Sequence, residues 1–280
     1  MIEFIAESLL LLPFLFVTYL GLEAVEAKAG GALARILGRV RFVAPIFGAA
    51  AGAVPQCGFS AAAASLYAGG VISLGALLSV FLSTSDELVP VLLGVKGIPV
   101  SLVLKIVLVK VLVAAAVGLM VNVAVYFARG SIGAESKVSE LCAHSRCGCS
   151  HRKGIVVPAL IHTAEIFVFI FIVSGAIELA THFFGDSWIQ SLSMTRPFVG
   201  ELVGAGVGLI PNCAASVACA QMYACGAMSP GALMASSFAG CGVGILVLFR
   251  ARRGFFGNLA VLLLVYVVGV LAGLLTGPLI

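Results

Sequence analysis

The sequence contains few charged residues. Asp, Glu, Lys and Arg make up 10% of its 280 residues, while hydrophobic residues make up 61% and the mean hydropathy is +1.19. Water-soluble globular chains carry roughly a quarter charged residues, so this composition excludes that class. Apolar stretches of about 20 residues, long enough to span a bilayer, recur along the chain. We therefore predict an all-α, polytopic membrane protein whose constant partner is the lipid bilayer.

Several signatures are missing, and each absence excludes a class of function. The sequence has no nucleotide-binding loop, so ATP hydrolysis by this chain is not expected to drive it. It has neither H-E-x-x-H nor G-x-S-x-G, so we predict that it is not an enzyme, with an intramembrane metal-dependent enzyme as a lesser alternative. The first residues lack the basic segment and cleavage site of a signal peptide, so we expect a retained helix there. The net charge of +4 gives no reason to expect a nucleic-acid partner.

An internal repeat becomes visible when the sequence is shifted by 156 positions. GAVPQCGFSAAAASLYAGG (52–70) then aligns without a gap with GLIPNCAASVACAQMYACG (208–226). The alignment pairs Pro55 with Pro211, which a shared richness in Ala and Gly does not explain. The chain is therefore predicted to consist of two halves with the same architecture.

Each half is predicted to contain five helical elements. We expect a first membrane repeat at 1–130, a cytoplasmic linker at 131–153 and a second membrane repeat at 154–280. The elements are a long first helix (about 4–26 and 155–182), an interrupted pair of short segments, a helix (about 72–94 and 228–249) and a last helix (about 98–128 and 255–278).

Equivalent loops of the two halves differ in positive charge. Residues 27–42 hold four Lys or Arg residues, whereas their second-half counterpart holds only Arg196. The loop GVKGIP has one lysine, whereas its counterpart RARRG has three arginines. Because Lys and Arg mark the cytoplasmic side, equivalent loops lie on opposite sides of the membrane. This distribution predicts two five-element repeats of inverted topology, with both termini outside.

The interrupted segments are too short to cross a bilayer. Residues 43–54 and 57–70 would each be roughly 20 Å long as helices, against a hydrocarbon core of about 30 Å. We predict re-entrant or discontinuous helices whose tips, Pro55-Gln56-Cys57 and Pro211-Asn212-Cys213, meet near the midplane. Such interrupted segments in matching positions are typical of transporter binding sites. The alternative is a pair of Pro-kinked packing helices that approach closely through G-x-x-x-G motifs.

A carboxylate pair, Asp86 and Glu87, lies within the predicted helix at 72–94. Carboxylates at membrane depth are expensive and indicate function. Hydroxyls and amides add oxygen donors, which together suit a hard or borderline divalent cation. The predicted substrate-binding residues are Asp86, Glu87, Ser83, Thr84, Ser85, Gln56 and Asn212. The alternative is that the helix ends early and leaves the pair at the interface. The second half has Gly242 and Val243 at the equivalent positions, so we expect a single site.

Cysteines at two places in the sequence indicate binding of soft metal ions or other thiophilic species. Cys57 and Cys213 lie at the predicted segment tips and favour a thiophilic substrate. The linker contains five thiol or imidazole donors within ten residues, which are Cys142, His144, Cys147, Cys149 and His151. Such donors suit Zn(II) or another soft metal, although the spacing is not that of a standard zinc finger, and an incidental cysteine-containing linker is the alternative. No cofactor is required by any of these patterns.

Three stretches carry a resemblance to a known family. They are VPQCGFSAAAASLYAGGVISLGALLSVFLSTSDELVPVLL, IPNCAASVACAQMYACGAMSPGAL, and the Cys/His linker followed by PALIHTAEIFVFIFIVS. They resemble the bacterial ten-helix heavy-metal exporters, whose members are described as manganese transporters or as arsenic efflux proteins. The resemblance covers nearly the whole chain and implies an exporter in the bacterial inner membrane.

The expected function is that of a secondary transporter that exports a divalent metal cation, Mn(II) first, with coupling to protons. The main alternative is an arsenite or organoarsenical efflux permease, which the thiols at the segment tips favour. A metal sensor that uses the linker is a lesser alternative. The metal ion is the expected soluble partner, and the sequence is compatible with a homo-oligomer.

Overall fold

The structure, a computed structural model, describes residues 42–54, 58–85, 88–94, 98–129, 196–211, 213–250 and 254–280, with isolated helical positions within 13–20 and 156–172. Across these residues the chain is helical and forms no strand, so the all-α prediction is confirmed for them. Apart from the isolated positions, the first helices predicted at about 4–26 and 155–182 lie outside the described residues.

Ten α-helices and a closing 3-10 turn lie in the described part of the chain. They are α1 (Ala44–Gly52), α2 (Gly58–Ala68), α3 (Leu74–Ser83), α4 (Leu88–Gly94), α5 (Val100–Arg129), α6 (Val199–Gly208), α7 (Cys213–Ala224), α8 (Pro230–Ala239), α9 (Gly244–Arg250), α10 (Phe255–Thr276) and the turn Gly277–Leu279.

The helices recur at the spacing of the sequence repeat. Adding 156 to the residue numbers of α3 and α4 gives the bounds of α8 and α9. The hydroxyls of Ser73 and Ser229 cap α3 and α8 in the same way, each accepting a hydrogen bond from the backbone N–H three residues later, at 3.2 and 3.1 Å. Gly70 and Gly226 precede these caps with φ of 72° and 76°, a conformation that favours glycine.

The packing of the helices repeats as well. In the first half α3 packs against α1 and α5, and in the second half α8 packs against α6 and α10. Between the halves α2 packs against α9, and reciprocally α7 packs against α4. α3 and α8 contact each other. The sequence repeat therefore corresponds to repeated three-dimensional contacts, with α3 and α8 at the centre.

One predicted feature is wrong, because the helices predicted at about 72–94 and 228–249 are each interrupted. α3 ends at Ser83 and α4 begins at Leu88, while α8 ends at Ala239 and α9 begins at Gly244. We name these interruptions the first and the second break. At the first break the backbone leaves the helical region at Thr84 (φ −52°, ψ 126°). At the second break Gly242 has φ of 53°, which ends helical hydrogen bonding.

Among the residues that the structure describes, three helical stretches are long and apolar enough to cross a membrane. They comprise Val100–Ala128 (29 residues), Pro230–Arg250 (21 residues, α8 and α9 together) and Phe255–Leu279 (25 residues). Most exposed residues of α5 and α10 are apolar, among them Leu104 and Leu108 on α5 and Leu271 on α10. Polar side chains are buried between the helices instead, an arrangement that suits a bilayer and would be unusual in water.

Glycines allow the closest helix contacts. A methyl group added to Gly52 of α1 would overlap the carbonyl oxygen of Val80 in α3, and one added to Gly208 of α6 would overlap the carbonyl oxygen of Ser236 in α8. Both contacts occur at equivalent positions of the two halves. The G-x-x-x-G motifs of the sequence therefore bring α1 against α3 and α6 against α8, as small residues do in membrane helix pairs.

We expect Gly208→Ala to lower the free energy of unfolding by about 1–3 kcal/mol, because the added methyl group displaces backbone at a packed contact. Gly206→Ala is the matched control on the same helix, since a methyl group there meets no atom within 4 Å. Thermal unfolding in detergent, followed by loss of the monodisperse peak, measures both. Equal melting temperatures for the two variants would contradict the close contact of α6 with α8.

Candidate functional site at the two helix breaks

A lysine lies buried where the two halves meet. Lys110 of α5 is 0% exposed. Its ammonium group donates hydrogen bonds to the carbonyl oxygen of Thr84, to the carbonyl oxygen of Ser237 at 2.9 Å and to the Ser237 hydroxyl at 2.6 Å. The Phe238 ring centroid is 6.0 Å from the ammonium nitrogen. Lys110 therefore bridges the end of α3 to the last turn of α8.

The two carbonyls are available because each lies at a helix end. The last four carbonyls of an α-helix have no intrahelical partner, and Ser237 lies in the last turn of α8. Thr84 follows the last residue of α3 with a non-helical backbone conformation, so its carbonyl also leaves the helical ladder. Helix C-termini carry partial negative charge, which favours a cation. Lys110 thus places one positive charge at the C-terminal ends of two helices.

The predicted hydroxyl ligands are next to this bridge. Ser83, Thr84 and Ser85 are all buried. Their hydroxyls donate to backbone carbonyls of the same segment, at 2.8 Å to Ser79, 2.7 Å to Val80 and 3.0 Å to Ser83 respectively. Such back-bonding competes with helical hydrogen bonds and accounts for the end of α3 here. The hydroxyl protons are used within the protein, while oxygen lone pairs remain for a cation.

The N-terminal ends of the same two helices meet oxygen atoms. At the start of α3, the backbone N–H of Gly75 donates to the Asn122 side-chain oxygen at 3.2 Å. At the equivalent residue of α8, Gly231, the Glu201 carboxylate occupies the space that a side chain would need. Glu201 is 5% exposed, and its Oε2 atom is buried without a hydrogen-bond partner. Negative groups are stabilised at helix N-termini, so each helix has an oxygen at its start and the shared lysine at its end.

Most of the other predicted site residues lie outside the described residues. These are Asp86, Glu87, Gln56, Asn212, Cys57 and the linker residues Cys142, His144, Cys147, Cys149 and His151. The backbone of Cys213 begins α7, but its side chain is likewise outside the description. Within the part that is described, no three His, Cys, Asp or Glu side chains cluster as a metal site would require.

The patterns used in the sequence analysis do not single out Lys110 or Ser237. The available signal is a charged residue in the interior of a long apolar helix, which indicates function when it faces the protein. Lys105 occurs on the same helix but is exposed. Five residues correspond to about 140° of rotation around a helix, so the two lysines lie on different faces. Only the packing of α5 identifies the inward-facing one.

We expect Gly231→Ala to destabilise the protein because its methyl group overlaps Glu201. Combining it with Glu201→Ala removes the overlap, so the two changes should couple by about 1–2 kcal/mol in a double-mutant cycle of thermal stability in detergent. Gly206→Ala, combined with the same Glu201→Ala, is the additive control. If Gly231→Ala cost the same with and without the carboxylate, Glu201 would not lie against the start of α8.

No family model, no curated protein and no solved structure matches this chain.

Proposed function

We propose that the protein is a secondary transporter that exports a divalent metal cation, Mn(II) first, across the bacterial inner membrane in exchange for protons. The observation that carries this proposal is the shared lysine: two helices, one from each half, end at one buried positive charge. The proposal also draws on the carboxylates that follow Thr84 and Ser85 in the chain.

A cation is the ligand that this arrangement favours. The carbonyls at the C-terminal ends of α3 and α8 are held at a position where they stabilise the ammonium group of Lys110. Discontinuous helices with carbonyl ends of this kind coordinate cations in secondary transporters. Irregular backbone at membrane depth is tolerated only inside protein or beside a water-filled cavity. A site for a transported cation satisfies both conditions.

The two halves supply the machinery for alternating access. Their contacts repeat at a spacing of 156 residues, and the positive charges of equivalent loops are oppositely distributed. We propose that the repeats have inverted topology and that the pair of α3 and α8 lies at the centre of the movement. Motion of one half against the other would expose the breaks first to one side of the membrane and then to the other.

Asp86 and Glu87 are proposed as the charged metal ligands. They directly follow the buried residues Thr84 and Ser85, so the chain brings them to the first break. Two carboxylates neutralise a divalent ion and provide the oxygen ligands that Mn(II) prefers. When the ion leaves, a proton taken up by a carboxylate would couple export to the inward proton gradient. The Cys/His linker is proposed to capture metal before transport, because thiolates hold metal too tightly for permeation.

An arsenite or organoarsenical permease is the second candidate, and one observation favours it. Cys241 lies in the second break, is buried, and has its sulfur 3.3 Å from the carbonyl oxygen of Ala239. A thiol at this position would add to those of Cys57 and Cys213. Thiols at all three positions would suit a thiophilic substrate.

We expect Asp86→Asn and Glu87→Gln each to reduce Mn(II) flux into sealed proteoliposomes by at least about tenfold, because each removes a charged oxygen ligand at membrane depth. Flux is driven by an imposed proton gradient and measured with a metal-sensitive dye. Glu135→Gln in the linker is the control for loss of one acid. Replacement of Cys57, Cys213 and Cys241 by Ser should leave Mn(II) flux within about twofold of the parent, since oxygen ligands suffice for this ion.

The opposite pattern identifies the second candidate. Arsenite flux that survives the carboxylate changes and disappears with the three thiols would replace the manganese proposal. A purified, monodisperse protein that moves neither Mn(II) nor arsenite under any gradient would contradict the transporter proposal itself.

A further inference from the structure

We propose that the ammonium group of Lys110 competes with the transported cation for the same oxygen atoms, so that lysine and metal occupy the site in alternation. The oxygens are the carbonyls of Thr84 and Ser237 and the Ser237 hydroxyl. This inference rests on the proposed function. It adds that a side chain of the protein competes with the metal, and that three oxygens besides those of Asp86 and Glu87 are metal ligands.

The geometry makes joint occupancy unfavourable. The ammonium nitrogen is within hydrogen-bond distance of all three oxygens, at 2.9 Å from the Ser237 carbonyl and 2.6 Å from its hydroxyl. A hard metal ion would bind such oxygens at roughly 2.0–2.6 Å through the same lone pairs. Two cations about 3 Å apart in a buried site repel strongly. Binding of the metal therefore requires the ammonium group to leave.

The chain allows the ammonium group to leave and return. Lysine carries its charge on a flexible four-carbon stem, whereas the backbone of α5 is fixed by packing against α3 and α1. The side chain can thus withdraw while the helix stays in place. Because the oxygens come from both halves, the returning ammonium group reconnects α3 and α8 once the metal has gone. The metal-free site would then contain one positive charge, that of the ammonium group, while the transporter returns to the side from which it takes up metal.

A competitor of this kind promotes release of the metal ion from the site. Oxygen ligands that hold a divalent ion tightly slow its departure, but a transport site must also let the ion go. The tethered ammonium group lowers the apparent affinity without lowering the number of ligands, since it is always present at a high local concentration. Removing the charge should therefore tighten binding and slow turnover together.

A purely structural role predicts something different. If Lys110 only satisfied helix ends, its removal would leave two buried carbonyls without a donor and weaken the fold. Metal affinity would then fall or stay the same, and it would not rise. The sign of the change in metal affinity separates the two roles.

The test measures Mn(II) binding to the purified full-length protein in detergent, through loss of the electron paramagnetic resonance signal of the free ion. The variants are Lys110→Met and Lys110→Gln, which remove the charge, and Lys110→Arg, which keeps it. Lys110→Gln retains a hydrogen-bond donor for the carbonyls in case the methionine variant does not fold. Lys105→Met, on the exposed face of the same helix, is the matched control.

We expect the neutral variants to bind Mn(II) about tenfold more tightly than the parent and to transport it more slowly, with KM and maximal rate both reduced. Lys110→Arg should bind no more tightly than the parent, because the guanidinium group remains a competitor with five donors. Lys105→Met should match the parent.

Several results would overturn the inference. Folded neutral variants that bind Mn(II) as weakly as the parent, or more weakly, would do so. Should neither neutral variant fold, tighter binding by Lys110→Arg than by the parent would also overturn it, and unchanged or weaker binding would support it. Absence of Mn(II) binding in the parent and in every variant would instead remove the proposed function on which the inference rests. If the parent transports Mn(II) but the neutral Lys110 variants bind Mn(II) with the same affinity as the parent, the inference is wrong and the proposed function stands.

Discussion

Backbone carbonyls that end a helix inside a protein need a partner, and this requirement organises the described part of the molecule. α3 and α8 stop within the interior, so each leaves carbonyl oxygens that no continuing helix turn satisfies. One ammonium group, that of Lys110, serves both ends. An unpaired buried carbonyl costs about 1–3 kcal/mol, so a donor at this point stabilises both helices at once. One side chain therefore joins the C-terminal ends of α3 and α8.

The surrounding packing keeps the two helices in the positions where a single lysine reaches both. Their N-terminal ends are capped by Ser73 and Ser229 and meet the oxygens of Asn122 and Glu201. Glycines on the neighbouring helices let α1 and α6 approach to backbone contact, which fixes the lateral positions of α3 and α8. The serine caps and the glycine contacts lie in pairs related by the sequence repeat, whereas Asn122, Glu201 and Lys110 have no equivalent in the other half. The asymmetry between the two halves at the breaks thus includes Lys110 of α5.

How much of this arrangement is visible in the sequence differs from element to element. α5 and α10 lie within two residues of the bounds predicted from apolar runs, because long uniform helices carry a strong compositional signal. The sequence predicts the first break only as the alternative of an early helix end and does not predict the second, since Ser, Thr and Gly interrupt a helix when their hydroxyls or backbone find other partners in the folded state. Lys110 was missed because its meaning depends on which face of α5 is covered. The carboxylate and thiol predictions fall outside the described residues and stay predictions.

The central claim is that Lys110 of one half reaches Ser237 of the other. Cysteines at positions 110 and 237, in a chain without its native cysteines and with a protease site in the linker, test it directly. A bifunctional thiol reagent about as long as a lysine side chain should keep the two halves covalently joined after cleavage, since the lysine spans this gap in the structure. Cysteines at 112 and 237 should not be joined, because Leu112 is exposed on the outer face of α5. Equal crosslinking of both pairs, or none at 110 and 237, would contradict the account.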